Sequence, residues 1–165
     1  GTENIINACK KQNVPFLVYT SSLDAVFTGK PLVNIDESQP YPNKPVTSYC
    51  DSKIRSEKLI KAATSESLKT CILRPSDIYG EADPYHIGSL IDMAKKGFYV
   101  RLGNGKSKCQ HVYVGNMAHA HILAANALFQ NNRKIFGKAY LITDEPGSNF
   151  FTFFDKIKPC WFEVF

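Results

Sequence analysis

The sequence predicts an α/β fold built on a doubly wound parallel sheet, and three observations predict it. Short β-prone runs alternate with segments of helical spacing. The runs are continuously apolar, as in strands buried on both faces, and each is cut off by small polar residues or a proline. Parallel strands joined by crossover helices are the topology that such an order allows.

Each element has its own signal. Residues 2–12 carry Ile5, Ile6, Ala8 and Cys9 at helical spacing, and Asn13 with Pro15 closes the helix. Phe16-Leu17-Val18-Tyr19-Thr20 is a continuous β-prone run that ends in the pair Ser21-Ser22, a strand leading into a functional loop. Between Gly29 and Pro45, prolines at 31, 40, 42 and 45 and the acidic Asp36-Glu37 predict a long surface loop, after which residues 48–63 return to helical spacing. Cys71-Ile72-Leu73-Arg74 reads as a second short strand stopped by Pro75. Beyond Gly80 the expected elements are a helix near 87–96, a strand at 99–102, a Gly103-Asn104-Gly105 turn, a strand at 111–114, a helix at 116–129 and a last strand at 139–142. The domain reading is therefore residues 1–80 as the site-bearing α/β part, 81–157 as a mixed part with the remaining sheet elements, and 158–165 as an atypical tail.

With 165 residues, 44% hydrophobic and 21% charged, the chain has ordinary globular composition. The 20 basic and 15 acidic residues leave a formal charge of +5, but Lys and Arg are scattered, which argues against nucleic-acid binding. Five cysteines, odd in number and free of C-x-x-C spacing, argue against a zinc site or disulfide framework and fit a reducing compartment. No apolar run approaches the roughly 20 residues of a membrane span. The expected location is the cytoplasm, or a membrane surface facing the cytosol if a segment outside this sequence carries an anchor.

The chemistry centres on Tyr49-Cys50-Asp51-Ser52-Lys53, because positions i and i+4 share one helical face and set a phenol beside an ammonium. A tyrosine of pKa about 10 is a poor base near neutrality, but a neighbouring cation favours the phenolate. Such a Tyr49 could take the proton of a substrate hydroxyl. Y-x-x-x-K alone is a weak pattern. It gains weight from Ser21-Ser22, a hydroxyl pair at a strand end where a doubly wound sheet gathers its ligand groups, and this position favours a substrate-holding Ser22 over a plain helix-cap serine.

These residues, with Gly1-Thr2-Glu3-Asn4, Val18-Tyr19-Thr20-Ser21-Ser22, Leu73-Arg74-Pro75-Ser76-Asp77-Ile78-Tyr79-Gly80, Val112-Tyr113-Val114-Gly115-Asn116, Ala120-His121-Ile122-Leu123-Ala124 and Ile142-Thr143-Asp144-Glu145-Pro146, occur in one order. In that order the chain resembles the extended short-chain dehydrogenase/reductases, specifically the 3β-hydroxysteroid dehydrogenase/isomerase family and its sterol-4-carboxylate branch, from Gly1 to about Ile157. The resemblance implies a Rossmann-like sheet with a substrate subdomain, NAD or NADP as cofactor, and a 3β-hydroxysteroid or sterol as substrate. It implies a homodimer for the full-length protein. It implies Tyr49 as catalytic acid/base, Lys53 as its partner and a contact to the nicotinamide ribose, Ser22 as the substrate-orienting hydroxyl, and the Arg74-Pro75 turn along the nicotinamide. Asn116 matches a structural position at the start of a helix.

The sequence lacks a G-x-x-G-x-x-G after an N-terminal strand and the charged residue that would select between the two cofactors. The expectation is a partial sheet, a fragment with its first strands missing and the apolar edge of Phe16 to Tyr19 exposed, inactive by itself. Two alternatives stand beside the dehydrogenase: a nucleotide-sugar epimerase or dehydratase, which would use the same Tyr/Lys pair, and a non-catalytic fragment or pseudoenzyme. Other candidates read as structural. His119 and His121 project about 200° apart on a helix and cannot share an ion, and His111 reads as packed in its strand. Gly103-Asn104-Gly105-Lys106 lacks the second half of a phosphate loop. Asp77, Glu81 and Asp83 read as a solvated loop, and Phe150, Phe151, Phe153 and Phe154 as packing. No metal is expected.

Overall fold

The computed structural model describes residues 1–83, 88–89, 92, 104–144 and 146–155. The expected helix at 87–96 and strand at 99–102, Gly103, Glu145 and the tail from Lys158 lie outside the described residues or almost wholly so. The chain divides into two units, one of Gly1–Ser76 with Met117–Ile142, the other drawn from the described residues of Asp77–Asn116 and Thr143–Phe165. The first unit takes in a late segment because the strand near residue 140 returns to pair with its sheet.

The first unit opens with helix α1 (Thr2–Lys11), whose Glu3 in the first turn and Lys10 and Lys11 in the last complement the helix dipole. Asn13 turns the chain at φ 54°, a left-handed conformation that asparagine tolerates. Strand β1 (Phe16–Thr20) follows, then a 3-10 turn at Leu23–Val26 and a stretch without regular structure up to helix α2 (Ser48–Ala63). Thr47 caps α2, its hydroxyl accepting from the Cys50 N–H at 3.1 Å, which satisfies an otherwise orphaned donor. Strand β2 (Lys69–Pro75) runs one residue beyond the expected stop and includes Pro75. Its Arg74-Pro75 segment is strand, not turn: Pro75 stands opposite Ile142 in the ladder.

Strand β3 (Asp77–Tyr79), β4 (Lys108–Cys109) and β5 (His111–Tyr113) belong to the second unit. Helix α3 (Val114–Phe129) starts two residues earlier than its spacing predicts, directly off β5. Its start is held by Asp144, which accepts from the Tyr113 N–H at 2.8 Å and the Asn116 side-chain amide at 2.8 Å, the structural position expected of Asn116. Strand β6 (Ala139–Ile142), β7 (Ser148–Asn149) and helix α4 (Phe150–Asp155) complete the described elements.

In the first unit the sheet order is β1-β2-β6, both pairs parallel, with Thr20 opposite Leu73 and Ile72 opposite Ala139. Alternation along β1 sends its side chains to two helical layers. Leu17 and Tyr19 pack on the core of Ile6, Cys9, Ile60, Ala63, Leu68, Ile72 and Ala139, supplied largely by α1 and α2. On the other side Phe16 meets Phe129 edge-on at 6.0 Å and Thr20 meets His121, both on α3. Helices on both faces of a parallel sheet are the doubly wound arrangement the order of elements predicts. β1 is an edge among the described residues, and its five residues are only partly buried, whereas β2 is buried from Thr70 to Pro75.

In the second unit β3 pairs with β5 in parallel and β4 with β7 antiparallel. Its core is aromatic: the His111 ring stacks on Phe153 at 3.9 Å, and Tyr79 meets Phe153 edge-on at 5.1 Å. His111 and Phe153 are therefore packing residues, as their setting predicts; the side chains of Phe151 and Phe154 lie outside the described residues. Asn104-Gly105 forms a turn before β4, with Gly105 at φ +68°. Among the described residues no helix is long and apolar enough to cross a membrane.

Candidate active site

Every residue singled out for chemistry, Ser22, Tyr49, Lys53, Arg74 and Pro75, falls in the first unit. Ser22 and Pro75 lie at the C-terminal ends of β1 and β2, and Tyr49 and Lys53 in the first two turns of α2. This is the end of a parallel sheet where ligands bind in open α/β folds.

The Tyr/Lys pair forms as its spacing predicts. The Lys53 ammonium stands 5.5 Å from the centre of the Tyr49 ring and 5.6 Å from that of Tyr19, and donates to the Thr20 carbonyl at 3.1 Å. A cation over two aromatic faces with one main-chain acceptor is held by electrostatics rather than by a counter-charge. Tyr49 is 50% exposed, an unusual fate for a large aromatic side chain, and leaves its phenol open to a ligand. Thr20 is itself fixed. Its hydroxyl lies 2.7 Å from His121 Nε2, while His121 Nδ1 lies 2.8 Å from the Met117 carbonyl, so Nδ1 carries a proton. His121 thus has a structural partner on each ring nitrogen.

Ser22 opens the 3-10 turn. Its oxygen accepts from the Asp24 N–H at 3.1 Å and its hydroxyl lies 3.3 Å from Asp24 Oδ2, so Ser22 caps the turn. α2 packs against this turn, which sets Ser22 in the neighbourhood of the Tyr49/Lys53 helix.

The Arg74 side chain turns into the core. It is 2% exposed and makes a two-bond ion pair with Glu57, Nε to Oε1 at 2.9 Å and Nη2 to Oε2 at 2.7 Å. The guanidinium is committed to the core, so any part Arg74 plays toward a cofactor falls to its main chain beside Pro75, whose missing N–H frees that stretch of backbone. Glu57 also accepts from Ser21 Oγ at 2.6 Å and from the Tyr41 hydroxyl at 2.7 Å, and Lys61 donates to that hydroxyl at 3.0 Å. Burial pushes the Glu57 carboxyl up, but hydrogen bonds from Arg74, Ser21 and Tyr41 and the Arg74 charge outweigh it, and the net direction is down. Burial, the Glu57 hydrogen bond and the Glu57 charge drive Tyr41 well above the ordinary tyrosine range. The 27–47 segment is thereby anchored through Tyr41, where its prolines predict only a surface loop.

Sequence reasoning missed Glu57 and Tyr41. A signal existed: Glu57 occupies a slot in the buried series Cys50, Ile54, Glu57, Ile60 of α2, and Arg74 closes the apolar run of β2. A charge in a buried segment needs a partner, and each of these segments carries one of opposite sign. A third cluster, in the second unit, groups Asp77, Cys109 and His111, whose ligand atoms lie within 4.8 Å of one another. Burial and Asp77, which accepts from the thiol at 3.0 Å, push Cys109 up to about 12, so the pair is a protonated thiol on a carboxylate beside a stacked imidazole.

The donor set fits the nicotinamide end of a dinucleotide: an ammonium with donor capacity to spare, an open phenol and a proline-bearing strand end. A parallel sheet with Tyr49 and Lys53 on one helical face near the C-terminal ends of its strands is compatible with a short-chain dehydrogenase/reductase fold. Within it the chain belongs to the 3-beta hydroxysteroid dehydrogenase/isomerase family, whose model matches residues 1–159. It is 38% identical over 162 residues to a sterol-4-alpha-carboxylate 3-dehydrogenase, decarboxylating, of Schizosaccharomyces pombe, covering 98% of this chain and 47% of that protein. The corresponding Bos taurus protein is 38% identical over 160 residues, covering 95% of this chain and 45% of its own length. The chain spans under half the length of these relatives. Among solved structures, a UDP-N-acetylglucosamine 4-epimerase of Methanobrevibacter ruminantium superposes with TM-score 0.76 at 23% identity, over 96% of this chain and 50% of that one. A dTDP-glucose 4,6-dehydratase of Bacillus anthracis in complex with NAD gives 0.75 at 19%, over 96% and 50%. At such identities these two structures speak to the fold alone.

Proposed function

We propose that the protein is an NAD(P)-dependent oxidoreductase acting on the 3β-hydroxyl of a sterol that carries a 4-carboxylate. The observation that carries the reading is the Lys53 ammonium set between the Tyr49 ring and the Thr20 carbonyl at the end of β1. The substrate class is taken from the names of the relatives at 38% identity.

Tyr49 takes the proton of the substrate hydroxyl, and Lys53 supplies positive charge beside the phenolate and a donor for a ribose hydroxyl. Ser22 offers its O–H to the substrate oxygen on leaving Asp24. The bound dinucleotide supplies the hydride acceptor. Oxidation at C3 next to a 4-carboxylate gives a β-keto acid, which loses carbon dioxide without a dedicated residue.

The test is nicotinamide reduction, followed by absorbance, on the full-length gene product with 3β-hydroxysterols bearing or lacking the 4-carboxylate. Tyr49→Phe is expected to lose about 10²–10⁴-fold in kcat, the scale of general acid–base catalysis. Dinucleotide binding without turnover of any sterol would sink the substrate assignment.

A further inference from the structure

We infer that Glu57 is a positioning residue that holds together the three elements of the Tyr49/Lys53 site. The inference rests on the dehydrogenase reading and deepens it. Glu57 lies on α2, four residues beyond Lys53 and eight beyond Tyr49, and is 0% exposed. Its carboxylate accepts four hydrogen bonds: from Ser21, next to Ser22 at the exit of β1; twice from Arg74, next to Pro75 on β2; and from Tyr41 in the segment that precedes α2. Each strand end that carries a candidate residue is thus tied to the helix that carries the other two.

As a source of stability the arrangement is poor. Buried ion pairs are often replaced by apolar residues at no loss, and here Arg74 Nη1 is buried with no hydrogen-bond partner among the described residues. What a carboxylate provides and an apolar side chain does not is one geometry that satisfies the Ser21 and Tyr41 hydroxyls and Arg74 Nε and Nη2 at once. That geometry sets α2 against the end of β1, and the Lys53 bond to the Thr20 carbonyl, one residue before Ser21, depends on it. Misplacing a catalytic group by about 1 Å costs on the order of 10²-fold.

The test pairs Glu57→Met with Arg74→Met in the full-length protein, so that no buried charge is left alone. Folding is followed by far-UV circular dichroism and urea. Steady-state kinetics are measured with NAD(P)+ and the sterol. Tyrosine labelled with ¹³C at Cζ, assigned through Tyr49→Phe, reports the surroundings of the Tyr49 ring without substrate. The expected result is a folded double variant with kcat reduced about 10²-fold, the sterol KM changed far less, and the Tyr49 ¹³C signal displaced from its wild-type position. Wild-type kcat together with an unmoved Tyr49 ¹³C signal would overturn the inference and leave Glu57 a core fixture. If the double variant does not fold, Ser21→Ala removes a single bond. A smaller kcat loss with a shift of Tyr49 in the same direction supports the inference, and no change overturns it. Should the wild type turn over no sterol, the functional proposal fails, and the Tyr49 ¹³C signal still decides the role of Glu57.

Discussion

Replacing Arg74 alone by methionine is the most informative perturbation of the first unit's core. Arg74 is 2% exposed and Glu57 0%, and the substitution strips two of the four hydrogen bonds from the carboxylate, leaving only Ser21 and Tyr41. A buried pair broken by removal of one partner costs about 3–5 kcal/mol, because the remaining charge is uncompensated. The pH dependence should change sign as well. In the wild type the Glu57 carboxyl is held below its ordinary value of 4.5, so the unfolded chain binds the proton first. The pair's contribution is then complete above that ordinary value and is lost as pH falls through the depressed folded value. Without Arg74, burial has the upper hand and the folded value rises above the unfolded one. The folded state then holds the extra proton, and stability falls as pH rises through the raised value. Urea unfolding followed by far-UV circular dichroism, repeated from near neutrality into mild acid, reads both effects. A loss below about 1 kcal/mol, the scale of an exposed ion pair, with no reversal of the pH slope, would refute the reasoning.

Further outcomes follow from single contacts. Gly80→Ala is expected to destabilise the second unit by about 1–3 kcal/mol, because Gly80 sits at φ +146° and a Cβ there would stand 2.4 Å from Val114 Cγ1; a thermal melt with Asn104→Ala as a surface control checks it. Leu128→Ala, at a side chain 0% exposed, should cost about 2–5 kcal/mol, and a urea midpoint within error of wild type would contradict the packing of α3 on the sheet. Cys109, pushed up to about 12 by burial and Asp77, should react with iodoacetamide at mildly alkaline pH at least about a hundredfold more slowly than a free thiol. Asp77→Asn should speed that reaction, and equal rates in the two proteins would remove Asp77 as a cause.

What the sequence determined by itself is local and periodic. Continuous apolar runs at 16–20 and 71–74, helical spacing at 48–63 and the i, i+4 placement of Tyr49 and Lys53 depend on repeats of two and of 3.6 residues, and those repeats are written in the chain. The return of β6 to β2, the Thr20 carbonyl beneath Lys53 and the meeting of Arg74 with Glu57, 17 residues apart, were decided by the tertiary structure. No period encodes them. A charge in a buried segment shows that a partner must exist, since an unpaired buried charge is too costly to keep, but several donors and acceptors satisfy that demand equally well on paper. Packing chooses among them: once α2 lies across β1 and β2, Ser21, Tyr41 and Arg74 are the partners within hydrogen-bond reach of Glu57 among the described residues.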